Sequence, residues 1–572
     1  MHGVQRLYLL LVVVTIGSLT AFLYDFFLPS RRFRPLHLGE FGNRVEIDGQ
    51  GASGTGLSLF SDRTTAWRLS VPPTDWRPIK SIVDVMGSGA GLCDVDLDGD
   101  LDLYLVRSGP GDASRNLLFL NSGDGTFLDG TEEAGVGHMG EGMGCVFGDI
   151  DNDGDRDLYV TNRGPDVLFL NDGSGGFSEA TEEAGLGNPS WGSGAAFGDL
   201  DNDGDLDLYV ANYLAFDPQV AKSEVEADFS REDPLALLPH PFRAEPDRLY
   251  ENDGRGRFQD VTERAQIASA EAKGLGVILS DLDVDGDLDI YVVTDASKNL
   301  FFANQGNWKF NNVGLVSGLD DARSGMGIAV GDFDNDELPD IFVTNWQDET
   351  NALYRNIQSG ATVFEDVAGS VGLASPSIGL VGWGTGLFDY DGDGFLDILV
   401  VNGYTTPGPD DPSRCIQQSA QLFRNIDGRE FRAVDVGPAL EAPRNARGAV
   451  FGDIDGDGDI DIVITTNRGQ PVILENETGN RNRWLKIRLV GSRSNRDGIG
   501  ARVYVAAGER TYLREVRAGS SYLCHDALEV HFGLGKATAI DLLRVEWPSG
   551  RESVLGRTES NQTLVIREPE GR

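Results

Sequence analysis

Positive charge is what this 572-residue chain has little of: 48 Lys and Arg stand against 91 Asp and Glu, a formal charge of −43. A phosphate backbone is gripped by excess positive charge, so this balance argues against a nucleic-acid partner. Cysteine is scarce too. Cys93, Cys145, Cys415 and Cys524 are too few for a disulfide scaffold, and no CxxC spacing supports a thiolate zinc site. Nucleophile elbow, Walker loop, HExxH and dinucleotide fingerprint are all missing, which points away from an enzyme. Cys524, His525, Asp526 and His531 gather near the C-terminus. Neighbours along a strand point to opposite faces, so Cys524–His525 is not an obvious catalytic dyad. Long helical patterns are lacking as well, which excludes an α-solenoid. Disorder does not explain these gaps, because 40% of residues are hydrophobic and 9% aromatic.

Glycine and aspartate are in excess; the 74 Gly are about 13% of the chain, against a usual ~7%. One long apolar run exists, Leu7 to Tyr24, and as a helix it would span about 27 Å. It is followed by Arg31, Arg32 and Arg34, and no small-x-small cleavage site is obvious. We read residues 1–34 as a membrane anchor or signal segment, and 35–56, with its GQGASGTG stretch, as a linker.

A repeat dominates the remainder. GDIDNDGDRDLYVTN begins at Gly148 and GDLDNDGDLDLYVAN at Gly198. The same ladder starts at Asp94, Asp149, Asp199, Asp281, Asp332, Asp389 and Asp453. After each comes a strand ending in Asn, as in LFLN from Leu118, LFLN from Leu168 and LYEN from Leu249. Four short strands per unit, repeated seven times at about 50 residues, predict a seven-bladed β-propeller. The seventh unit lacks a fourth strand, and LSLFSDRTT from Leu57 matches one. The expectation is a propeller over 57–480, with 57–67 closing the last blade so that no edge is exposed. Residues 481–572 read as a small β-sandwich-like domain; from Trp484 onward there are 14 Lys and Arg against 11 Asp and Glu, so the acidity belongs to the repeats.

The spacing D-x-D-x-D-G-x-x-D places oxygens at positions 1, 3, 5 and 9, with a Gly turn at position 6 and an inward carbonyl at position 7. These are the ligand positions of an EF-hand-type calcium loop, without its helices or its final Glu. Carboxylates without His or Cys select Ca²⁺. The predicted ligands are Asp94, Asp96, Asp98 and Asp102; Asp149, Asp151, Asp153 and Asp157; Asp199, Asp201, Asp203 and Asp207; Asp281, Asp283, Asp285 and Asp289; Asp332, Asp334, Asp336 and Asp340; Asp389, Asp391, Asp393 and Asp397; Asp453, Asp455, Asp457 and Asp461. That allows up to seven ions. In the fifth loop Glu337 replaces the Gly.

In a propeller these loops lie on one face. The entrances to the first strands lie on the other, and carry His138, Trp191, Lys273, Arg323, Trp383, Arg444 and Arg447. Two long connections, Tyr213 to Asp247 and Gly403 to Ala420, emerge there too. Basic and aromatic side chains around one channel mouth are the candidate ligand site; ordinary channel lining is the alternative.

Over Gly89 to Asn476 these repeats resemble the FG-GAP/VCBS repeat proteins. From Trp484, WLKIRLVG, SNRDGIGARVYV, REVRAGSSYL and VEWPSGR look like the ASPIC/UnbV domain of the cartilage acidic protein family. The resemblance implies a calcium-binding extracellular protein; the apolar run adds the expectation that it is extracytoplasmic and membrane-anchored by its N-terminal segment, or secreted if that segment is cleaved. The expected role is a binding or adhesion module for a glycan or protein. The alternative is an enzyme or accessory protein in exported or secondary-metabolite chemistry.

Overall fold

The second strand of each repeat is apolar because both of its faces are covered: Asp157–Asn162, Asp207–Asn212 and Asp340–Asn345 are buried along their whole length. The first strands are rich in small residues because they crowd one another. A Cβ on Gly194 would lie 2.5 Å from the Leu275 carbonyl oxygen, and one on Gly327 would lie 2.1 Å from that of Trp383. Both residues struck belong to the next repeat.

The computed structural model describes residues 59–72, 79–109, 114–221, 238–269, 271–358, 362–407 and 415–570. The expected membrane segment, the linker and residues 57 and 58 lie outside these. Among the described residues no helix is long and apolar enough to cross a membrane.

The chain is all-β with repeated four-stranded antiparallel sheets of the kind found in propellers. Sheet 1 runs Ala90–Cys93, Asp102–Leu105, Leu117–Asn121, Phe127–Asp129. Six more sheets repeat the order, and the sixth gains a short fifth strand, Cys415–Gln417, paired to Asp397–Pro407. Sheet 7 takes its outer strand from the other end of the chain. Phe60–Asp62 pairs antiparallel with Val472–Asn476, in the register Phe60↔Asn476 and Asp62↔Leu474. Each first strand packs on the first strand of the next sheet, and Ala446–Gly452 of sheet 7 packs on Ala90–Cys93 of sheet 1. Outer strands lead into one-turn helices such as Thr131–Ala134, capped by Gly135 at φ 76°. The sequence reading missed these turns, because four residues are too few to show helical periodicity.

The C-terminal region forms two main sheets. One places Arg483–Val490 between Val530–Gly535 and Gln562–Arg567; the other orders Arg510–Glu515, Arg502–Ala507, Leu542–Glu546 and Glu552–Leu555. Their shared core of Leu485, Ile487, Val503, Phe532, Val545 and Trp547 continues into Ile150, Tyr159, Leu208 and Tyr250 of the repeats. The region is therefore packed into the repeats rather than strung after them. The link between Glu515 and Val530 runs through the middle of the sheet array. Ala518 bridges Phe197, Ser521 exchanges hydrogen bonds with Ile328, and Ser521 Oγ accepts from the Thr385 N–H at 2.9 Å. His525 exchanges bonds with Ala90 and Leu92, and Asp526 Oδ1 accepts from the Phe451 N–H at 3.0 Å.

Candidate functional site

Each Asp loop closes on its own backbone. In the second loop the N–H groups of Asp153 and Gly154 donate to the two Asp149 oxygens at 3.0 and 2.9 Å. Asp157 accepts from the Ile150 N–H at 3.2 Å and the Asn171 N–H at 2.9 Å. The ninth-position Asp thus ties the loop to the third strand, and its counterparts Asp102, Asp207, Asp289, Asp340, Asp397 and Asp461 do the same. The fifth loop keeps the geometry: Glu337 adopts φ 68° and donates its N–H to Asp332 at 3.0 Å. A non-Gly residue in this left-handed region costs about 1–2 kcal/mol.

Carboxylate oxygens of Asp149, Asp151 and Asp153 lie within 4.8 Å of one another, as do those of Asp199, Asp201, Asp203, of Asp281, Asp283, Asp285, and of Asp332, Asp334, Asp336. In the first loop the group is Asp94, Asp96 and Asp102. Buried Oδ1 atoms of Asp151, Asp201, Asp283, Asp334 and Asp391, and of Asp94 and Asp453, have no hydrogen-bond partner. At least one orphaned oxygen therefore recurs in every loop. Burial, then the Asp497 carboxylate and the loop's own carboxylates, push Asp149 up to about 8; burial and Asp203 push Asp201 up to about 6. Hard oxygens, buried, crowded and unsatisfied, fit a divalent cation such as Ca²⁺.

The seven Asn residues that end the third strands have a second role, invisible in the sequence. The Asn171 side chain donates to the Val95 carbonyl of the preceding loop at 2.8 Å; Asn252 donates to Ile150 at 2.7 Å, Asn304 to Leu200 at 2.9 Å and Asn356 to Leu282 at 2.9 Å. Asn425 reaches Phe333 and Asn476 reaches Tyr390, both at 2.8 Å. Asn121 of sheet 1 reaches Ile454 of sheet 7, also at 2.8 Å. Every loop is thus clamped by the following sheet. The recurrence of Asn after each strand was the only signal available for this.

The C-terminal region sits on the loops. Lys486 Nζ lies 2.6 Å from Asp453, Arg502 lies 2.9 Å from Asp281, and Arg488 lies 4.0 Å from Asp94. Asp497 accepts from the Asp149 N–H at 3.0 Å and pairs with buried Arg156 at 2.7 Å.

Of the seven residues expected around the opposite mouth, most are engaged by protein. Trp383 is buried between Arg447, 4.1 Å from its ring centroid, and the Tyr522 ring at 4.8 Å. Arg447 is fully buried and donates to the Val85 and Ala446 carbonyls at 2.8 and 2.7 Å. Trp191 is buried edge-on to Tyr213 at 5.3 Å. Arg323 pairs with Asp321 and, at 2.7 Å, with Asp366; Arg444 donates to the Ala439 and Ala442 carbonyls at 2.8 and 3.0 Å. Lys273 is buried and His138 half-buried, its imidazole pushed down by burial. Among these residues only Trp383 borders the cavity of about 310 Å³ on this side, with Tyr213, Trp346, Asp295 and Glu349.

The cysteines are free and buried. Burial pushes the Cys524 thiol up and, with Arg156, pushes His525 down to about 3. An un-ionised thiol beside an inert imidazole gives no nucleophile.

Loops of this pattern, one per four-stranded sheet, define a class of repeat protein. The sequence pattern of FG-GAP-like repeats matches residues 94–160, 149–210, 281–343, 332–400 and 389–464, more than half of the chain, and the ASPIC and UnbV pattern matches 491–572. The chain belongs to the FG-GAP-like repeat family and carries an ASPIC and UnbV domain at its C-terminus. Among its relatives are cartilage acidic protein 1 of Mus musculus, 28% identical over 346 residues (57% of this chain, 51% of that one), and of Homo sapiens, 28% identical over 345 residues (57% and 50%). The chain spans about half the length of these relatives. Among solved structures it is similar to the BP39L lectin of Burkholderia pseudomallei, with 10% identity and a TM-score of 0.40 over 69% of this chain and 97% of that one.

Proposed function

We propose that this chain is a calcium-stabilised, seven-bladed propeller that works outside the cytoplasm as a binding module for a glycan or a protein. The observation that carries the reading is the division of its two faces. The loop face is covered by the C-terminal region, whose Lys486, Arg488 and Arg502 reach Asp453, Asp94 and Asp281. The other face holds a cavity of about 310 Å³ with aromatic walls and a few polar groups, the usual character of a ligand site. The orphaned carboxylate oxygens support calcium in a structural role, with each loop's ion holding strands one and two at their turn. Extracellular calcium modules bind at about 10⁻⁴–10⁻³ M, which favours a location outside the cytosol. Membership of its family supports the same placement.

Glycan and extracellular-protein arrays probed with the calcium-loaded chain test the reading. The expected result is specific binding that falls in Trp346→Ala and survives surface changes on the C-terminal region. EGTA should lower the melting midpoint and Ca²⁺ restore it. Binding that maps to the C-terminal region, or a melt indifferent to EGTA, overturns the respective half of the proposal.

A further inference from the structure

The cavity on the side away from the Asp loops is built from four sheets and the segment before sheet 1. Its apolar lining includes Val85, Met86, Leu275 and Met326, and the rings of Tyr213, Trp346 and Trp383 stand around it. Two carboxylates, Asp295 and Glu349, share this lining. Ser324 neighbours both: its N–H donates to Glu349 Oε2 at 2.7 Å, and its side chain holds the Asp295 carboxyl down. The Tyr213 hydroxyl donates to Asp295 Oδ2 at 2.5 Å. Both residues are partly buried.

The charges around them leave the pair underneutralised. Burial raises both carboxyls, and the charge of Asp295, with that of Asp321, raises Glu349 further. Lys273 and His240, the latter in the same lining, oppose this at Asp295, and Arg323 opposes it at Glu349. A cation entering the cavity would relieve the mutual repulsion of the pair. A neutral hydroxyl would accept or donate hydrogen bonds but leave both charges in the partly apolar lining.

We propose that this cavity takes an alkylammonium group, its carbon stem against Met86, Met326 and the Trp346 ring and its charge between Asp295 and Glu349. The ammonium brings three donors to two acceptors, and aromatic faces attract a cation. The net charge of −43 draws cations toward the whole protein. This inference rests on the reading that the face away from the Asp loops is the binding face.

Calorimetric titration of the calcium-loaded chain tests it with three ammonium probes: N-acetyl-lysine methylamide, cadaverine and glucosamine. They separate a lysine side chain, a free diamine and an amino sugar as sources of the same group. N-acetyl-norleucine methylamide and N-acetylglucosamine are the uncharged counterparts of the first and third. At least one ammonium probe should bind tenfold or more tightly than its uncharged counterpart, and Glu349→Gln should weaken it tenfold or more. Asp295→Asn should do the same; if loss of the Tyr213 bond unfolds that variant, the probe comparison and Glu349→Gln decide. Equal binding of charged and uncharged probes, or no ammonium binding to folded protein, overturns the inference. N-acetylglucosamine binding that is lost in Trp346→Ala would overturn it while leaving the binding face intact.

Discussion

Two of the seven loops draw a counter-charge from the third strand of their own repeat, and this should split calcium binding into classes. The residue before each third-strand Asn is Leu120, Leu170, Glu251, Ala303, Arg355, Arg424 and Glu475 in turn, and the two arginines reach their loops. Arg355 lies 2.7 Å from Asp334 and 3.3 Å from Asp336; Arg424 lies 2.8 Å from Asp391 and 2.9 Å from Asp393. These are the third and fifth loop positions, so each guanidinium competes with a divalent ion for the same carboxylates. A single positive charge about 5 Å from a divalent ion costs about 1.7 kcal/mol at the dielectric of water. Both arginines are more than two-fifths exposed, so screening at physiological salt applies and leaves about 0.9 kcal/mol, close to fivefold in affinity. Calcium titration of EGTA-stripped protein should therefore show the sites of loops 5 and 6 weaker than that of loop 3, whose Asp201 is raised by burial and by Asp203. In the double variant Arg355→Leu, Arg424→Leu the two weak sites should tighten about fivefold, while the calcium-free form melts lower because its carboxylates lose their partners. Unchanged affinities, or loss of two ions in the double variant, would refute the reasoning.

Asn304→Ala removes the bonds to the Leu200 and Leu288 carbonyls at 2.9 and 3.0 Å, and leaves buried acceptors unpaired. The expected loss is roughly 2–4 kcal/mol by urea denaturation; a cost under about 0.5 kcal/mol would mean that the inter-sheet clamp is incidental. Removing residues up to 65 deletes Phe60–Asp62 and the Arg63 pair to Glu475, so sheet 7 should become protease-sensitive near Val472 while sheets 2 to 4 remain protected. Proteolysis like that of the intact chain would show the closing strand to be dispensable. His525 has its folded pKa pushed down to about 3, below the ordinary value of about 6.5. Its neutral ring therefore contributes stability that is complete above pH 6.5 and is lost as pH falls toward 3. Its imidazole NMR signals should hold the neutral position from pH 8 to pH 5, whereas a midpoint near 6.5 would place the ring in solvent.

Most of the repeat architecture was legible because it is written seven times. The Asp spacing, the strand ending in Asn and the unmatched strand near Leu57 are local or periodic signals, and the pairing of Phe60 with Asn476 follows from counting strands. The contacts that reorganise the candidate site are not of that kind. Arg447 and Trp383 read as candidates at a channel mouth, with packed lining as the alternative, and Tyr522 packs on the same indole from far along the chain. The segment around Tyr522 has no repeat and no period, and its partners are backbone groups of strands from 75 residues to several hundred earlier. Asp295 and Glu349 were equally silent: one is a lone acid and the other half of the Asp348–Glu349 pair, each after a second strand, and only the packing of sheets 4 and 5 brings them to one cavity.

The antiparallel pairing of Phe60–Asp62 with Val472–Asn476 also sets a timetable. Ser61 and Glu477, which share a hydrogen bond of 2.6 Å, are 416 residues apart. During synthesis, or passage through a translocation pore, the first sheets can assemble as they emerge, but the circle stays open until residue 477 is out. The segment around Tyr522, which touches the inner strands, follows later still. A chain interrupted anywhere before that point keeps an unpaired edge and a hollow centre, so it is the last fifth of translation that converts a string of separate sheets into one body resistant to unravelling from either end.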